Sequence, residues 1–68
     1  MASKQELLEV TNTMIQKLHD DINLLQDQAL KQSAAGDYEN LHVTLTKQRE
    51  AIAARIAMVE AAQYLQKN

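Results

Sequence analysis

His19, His42, Asp20 and Asp21 are the side chains through which this 68-residue chain could hold a metal or move a proton. The two histidines stand 23 positions apart, and neither is read as part of a His-x-x-x-His or Glu-x-x-His spacing that would turn two ligands to one helix face. Asp20 and Asp21 are neighbours, so on a helix they point about 100° apart and do not share one ion. Solvated surface is the better reading for all four, and no metal is expected. There is no cysteine, which removes disulfides and thiolate ligands together and suits a reducing compartment such as the cytoplasm. Gly36 is the single glycine, so no glycine-rich loop can cradle a phosphate. Serine and threonine have no basic partner at a recognisable spacing. The sequence predicts neither catalytic residues nor a cofactor.

The elements that carry these residues are legible from the punctuation of the chain. Proline is absent, and Gly36 falls near the middle. Glycine most readily takes the left-handed conformation that ends a helix, and Asp37 after it is a good N-cap for the next. Ser3-Lys4-Gln5-Glu6 fits a capping box at the start of the first helix. The spacing predicts one all-α domain over residues 1–68, an antiparallel two-helix hairpin resembling a coiled coil. Its first helix covers about residues 4–33, its turn about 34–37 and its second helix about 38–66. About 30 residues at 1.5 Å each make a rod of about 45 Å.

On the first helix Leu8, Ile15, Ile22 and Ala29 stand seven apart, with Thr11, Leu18 and Leu25 between them. That is the alternating three and four spacing of a seam between packed helices. Leu7 and Met14 widen it near the N-terminus, and Glu9, Gln16, Asp20, Asn23 and Asp27 form the wet face. On the second helix Tyr38, Leu41, Leu45, Ile52, Ile56 and Val59 are expected to pack against the first. A further series, Ala51, Ala54, Met58, Ala61 and Leu65, lies about 100° around the helix and has no neighbour in a hairpin. Arg55 falls between the two series, and its stem is expected to cover apolar surface, with Asp21 as a possible ion-pair partner. The predicted hairpin core is therefore Leu8, Ile15, Leu18, Ile22, Leu25, Leu41, Leu45, Ile52, Ile56 and Val59. The predicted partner-binding face is Ala51, Ala54, Arg55, Met58, Ala61 and Leu65.

A chain this short buries a thin core, and here it must do so without cysteine, phenylalanine or tryptophan. Association with another protein, or with itself, is the remaining source of stability. Nine acidic and seven basic residues leave a net charge of −2, which does not suit a nucleic-acid surface. No apolar run approaches the length of a membrane span, and Met1 to Glu6 lacks the layout of a signal peptide. The expected location is the cytoplasm.

Ala34-Ala35-Gly36-Asp37-Tyr38, Gln48-Arg49-Glu50 and Ala51-Ile52-Ala53-Ala54-Arg55-Ile56-Ala57 together resemble the small YscE-type co-chaperones of bacterial type III secretion. The resemblance covers about residues 26–66, and the first helix is similar in length and character. It implies a cytoplasmic helical hairpin that binds and stabilises a second, helical-repeat chaperone, the pair keeping a needle subunit from polymerising. It brings no catalytic residues. Two alternatives use the same hairpin: a homodimeric four-helix bundle of the Rop type that binds RNA, and a phage- or plasmid-encoded inhibitor of a host protein. Lys17, Lys31, Lys47 and Arg49 are scattered among acids, which weighs against RNA.

Overall fold

The computed structural model describes residues 3–67; Met1 and Ala2, which entered the reading of the N-terminus, and Asn68 lie outside them. Two helices, α1 (Lys4–Ala34) and α2 (Tyr38–Lys67), pack side by side as an antiparallel hairpin. α1 starts where the sequence predicts, with the Glu6 amide donating to Ser3 Oγ at 3.1 Å. It ends in a Schellman turn. The Asp37 amide donates to Gln32 O at 2.9 Å and the Gly36 amide to Ser33 O at 3.1 Å, with Gly36 at a φ of +71°. The Asp37 carbonyl then accepts from the Leu41 amide to open α2, while its carboxylate accepts from Asn40 Nδ2 at 2.8 Å. The predicted boundaries hold to within one residue.

The seam on α1 is the one its heptads predict. Ile22 and Ala29 are buried, and Leu8, Thr11, Ile15, Leu18 and Leu25 are half-buried. Glu9, Gln16, Asp20, Asn23 and Asp27 are exposed, as expected.

The seam on α2 is not. Apart from Thr46 and Ile52, the residues of α2 withdrawn from water are Leu41, Thr44, Gln48, Ala51, Arg55, Met58, Ala62 and Leu65, an alternation of three and four. Thr44 is the most buried residue named, at 4% exposure. Of the predicted core, Leu45, Ile56 and Val59 instead stand 46, 54 and 37% exposed, Tyr38 is exposed, and Ile52 is half-buried on the shoulder of the seam. Conversely Ala51, Arg55, Met58 and Leu65, predicted to face a partner, belong to the seam.

Two cross-helix hydrogen bonds fix the register. Gln48 Nε2 donates to Gln26 Oε1 at 2.8 Å, and Arg55 Nη1 donates to His19 Nδ1 at 3.3 Å. Reading both buried series against these bonds sets Leu8 opposite Leu65, Thr11 opposite Ala62 and Ile15 opposite Met58. Leu18 then meets Arg55, Ile22 meets Ala51, and Ala29 meets Thr44. At Thr11–Ala62, Ile22–Ala51 and Ala29–Thr44 at least one partner is small, and there the helices can close on each other. Had α2 turned Ile52 inward, a branched side chain would have met Ile22 where the small Ala51 now does, and that crowding favours the observed face.

The result is a thin rod with extents of 49, 17 and 14 Å. No large side chain is fully buried among the described residues. At the turn end of the seam Gln32 Oε1 is buried with no hydrogen-bond partner among them. No helix of the described residues is long and apolar enough to cross a membrane.

Candidate functional site

The seam divides the outer surface of the rod into two flanks of different chemistry. One is an open groove lined by Met14, Lys17, Leu18, Asp21, Ala54 and Met58, with a volume of about 380 Å³. Its position follows from helix geometry. Ala54 and Ala61 each come three residues after a seam position, Ala51 and Met58, and so share one side of α2. Leu7 and Met14 precede Leu8 and Ile15 on the matching side of α1. Leu7, Val10 and Met14 are exposed along this flank, as are Ala54 and Ala61. Lys17 and Asp21 place opposite charges at the groove rim.

The predicted partner face is therefore split. Ala54 and Ala61 remain available, Met58 contributes to the groove floor from the seam, and Ala51, Arg55 and Leu65 are taken up by α1. The sequence reading missed Met14, Leu18 and Asp21 as co-lining residues, because it assigned the face to α2 alone. The signal was present: in an antiparallel hairpin, residues beside the seam on α1 must meet their counterparts on α2.

The other flank is marked by the two cross-helix bonds. Asn12, His19 and Gln26 line it from α1. On α2, Ile52 and Val59 come four residues after Gln48 and Arg55, which reach towards this side. Leu45, Ile52, Ile56 and Val59 thus run beside a row of amides and imidazole. A shallow concavity between His42, Leu45, Thr46 and Arg49 lies on the same helix.

His19, read from sequence as solvated, is a link between the helices. Arginine can only donate, so the bond from Arg55 requires an unprotonated Nδ1 and puts the proton of the neutral ring on Nε2. Asn23 Nδ2 lies 3.4 Å from Nε2, and turning that amide over presents Oδ1 to accept the proton. Arg55 thus reaches His19 on one flank, whereas Asp21, the carboxylate weighed as an alternative ionic partner, lines the groove on the other.

The other candidates for chemistry stay apart. Asp20 Oδ1 accepts from Gln16 Nε2 at 3.1 Å on the wet face. Glu39 and His42 do stand at a Glu-x-x-His spacing on α2, and both are exposed. That pair supplies two ligands, and no group of three or more metal-ligating side chains gathers among the described residues. No family model, no curated protein and no solved structure matches this chain.

Proposed function

We propose that this chain is a non-enzymatic protein-binding module that takes an amphipathic helix of another protein into the groove between Met14, Leu18, Ala54 and Met58. The observation that carries this reading is the groove itself, an almost wholly apolar trough between two fixed helices. A third helix laid there converts a two-helix rod into a three-helix bundle and covers Leu7, Val10 and Met14 at once. Ala54 and Ala61 keep the floor low, so the incoming backbone can come close. Met14 and Met58 adapt their shape to the side chains they meet. Burying a few hundred Å² of apolar surface at about 25 cal/mol per Å² contributes several kcal/mol, comparable with the whole stability of a small domain. Lys17 and Asp21 at the rim would set the direction of the bound helix.

The co-chaperone role implied by the resemblance to YscE-type proteins is a specific form of this proposal, in which the incoming helix belongs to a larger helical chaperone. The test is Ala54→Glu combined with Ala61→Glu. Both positions are exposed, so helicity by circular dichroism should be unchanged, while co-purification of a helical partner from the native host should be lost. Asp20→Ala on the wet face should leave capture intact. Retention of the same partner by the double variant would remove the groove from consideration.

A further inference from the structure

Apolar contact admits many helices alike, and a charge at the edge of that contact discriminates among them. Among the described residues, Asp21 and Arg55 are the two charged side chains that the fold withdraws from water; every other lysine, arginine, aspartate and glutamate there is exposed. Their situations differ. Arg55 donates to His19 across the seam. Asp21, in the groove lining, receives no hydrogen bond and no ion pair from any described residue. Asp20 beside it, by contrast, accepts from Gln16. We infer that Asp21 selects the partner: the helix taken into the groove carries an arginine or lysine, beside its apolar stripe, that pairs with this carboxylate. The inference rests on capture of a helix by the groove and adds the chemistry of that helix.

The charged groups around Asp21 do not satisfy it. Lys17 stands one turn earlier on α1, and the register places Glu50 and Lys47 across the groove on α2. All three are exposed. Lys17 and Asp21 hold the weaker order of an i,i+4 pair, because the cation precedes the acid and opposes the helix dipole. The long stem of Lys17 also lets its ammonium stay in water. Ile22 lies opposite Ala51, so Glu50 comes within about 3 Å of Asp21 along the axis, whereas Lys47 lies about 8 Å further towards the turn. A second carboxylate faces Asp21. The cation does not.

Aspartate has a short side chain, and unlike Lys17 it cannot lift its charge clear of the groove when a helix covers it. Covering Asp21 without a cation strands a carboxylate away from water, which disfavours that helix. A guanidinium or ammonium on the incoming helix removes the penalty and meets Glu50 as well. A carboxylate arriving there meets two like charges. Towards the open end the same flank offers Leu7, Val10, Ala57 and Ala61, so the basic residue belongs at the end of the apolar stripe nearest the turn.

The probe is a phage-displayed library of amphipathic helices of about 18 residues, long enough for five turns. Leucine fills the inward positions, and arginine, glutamate or glutamine the others. Selection on the unaltered full chain should enrich arginine at one position, and selection on Asp21→Lys should enrich glutamate at the same one. The arginine peptide should lose about a hundredfold in affinity for Asp21→Lys and regain it when that arginine becomes glutamate. Asp21→Asn keeps the shape, removes the charge and should lose about tenfold, which gives a second readout should the lysine variant fail to fold. Identical preferences from the two selections overturn the inference, as does equal affinity of the arginine peptide for the unaltered chain and Asp21→Asn. Ala54→Glu combined with Ala61→Glu separates this from the groove itself. Peptides that the double variant no longer binds, but that are indifferent to Asp21, leave the groove standing and refute selection by charge. Peptides that the double variant still binds refute both, as does recovery of no binder.

Discussion

Ala51→Glu and Ala54→Glu differ by less than one helical turn and should have opposite consequences. Ala51 is half-buried opposite Ile22 in the seam, while Ala54 is exposed in the groove wall. A glutamate at the first position must either carry its charge into apolar surroundings or take up a proton. From an ordinary value near 4.3, protonation at pH 7 costs at most about 3.7 kcal/mol, which caps the electrostatic penalty. Added bulk against Ile22 costs about 1 to 3 kcal/mol more. The longer side chain can bend partly to water from a half-buried site, so the net loss is placed at about 2 to 4 kcal/mol. For a chain of this size that lowers Tm by about 10 to 25 °C. Burial raises the introduced carboxyl's folded-state pKa above its unfolded value, so the folded form binds more protons. The deficit should therefore shrink as pH falls from 7 to 5. Thermal melts followed by circular dichroism at several concentrations and at both pH values measure all of this. If Ala54→Glu is the more damaging change, or Ala51→Glu is harmless, α2 presents the other face to α1 and the register described above is wrong.

Three further experiments probe the ends and the polar links of the seam. Gln32→Met replaces the unpartnered buried Oε1 with a side chain of similar length and should stabilise by about 1 kcal/mol, seen as a higher urea midpoint with an unchanged slope. Gly36→Ala meets open space, with nothing within 4 Å of the added carbon, so its cost is the left-handed backbone alone, about 1 kcal/mol in the same titration. A double-mutant cycle of His19→Ala and Arg55→Met should return a coupling of about 1 kcal/mol or less, because the 3.3 Å bond lies near solvent.

The two helices, their boundaries and the inner stripe of α1 could all be read in advance. Each rests on a local rule: Ser3 as a cap, Gly36 as a stop, and Leu8, Ile15 and Ile22 at heptad spacing. The inner stripe of α2 could not be chosen by the same means. Leu41, Gln48, Arg55 and Ala62 are common to two possible seams, one completed by Leu45, Ile52 and Val59, the other by Thr44, Ala51, Met58 and Leu65. Ranking by hydrophobicity selects the first. What decides between them is the volume of the residue opposite, and opposition is a property of the pair of helices. With Ile22 fixed on α1, Ala51 fits where Ile52 would crowd. The same blindness hid the groove, whose lining comes from both helices, and the role of His19, which depends on where Arg55 arrives.

The choice of small residues for the seam shifts the stability problem to the outside of the molecule. Thr44, Ala51 and Ala62 let the helices approach, but they bury little area, and Gln48 and Arg55 occupy further seam positions with polar side chains. Those polar links specify antiparallel register more than they add net stability, since a bond of this kind contributes about 1 kcal/mol. Meanwhile Leu45, Ile56 and Val59, which carry much of the aliphatic area of α2, stand on the flank. A sequence selected for a solitary hairpin would gain by exchanging the two sets, with smaller residues on α1 to make room. Keeping large residues inside α1 and outside α2 makes sense when the outer set has a surface of its own to cover. A change at Ile52, half-buried on the shoulder of the seam, should then be felt in stability.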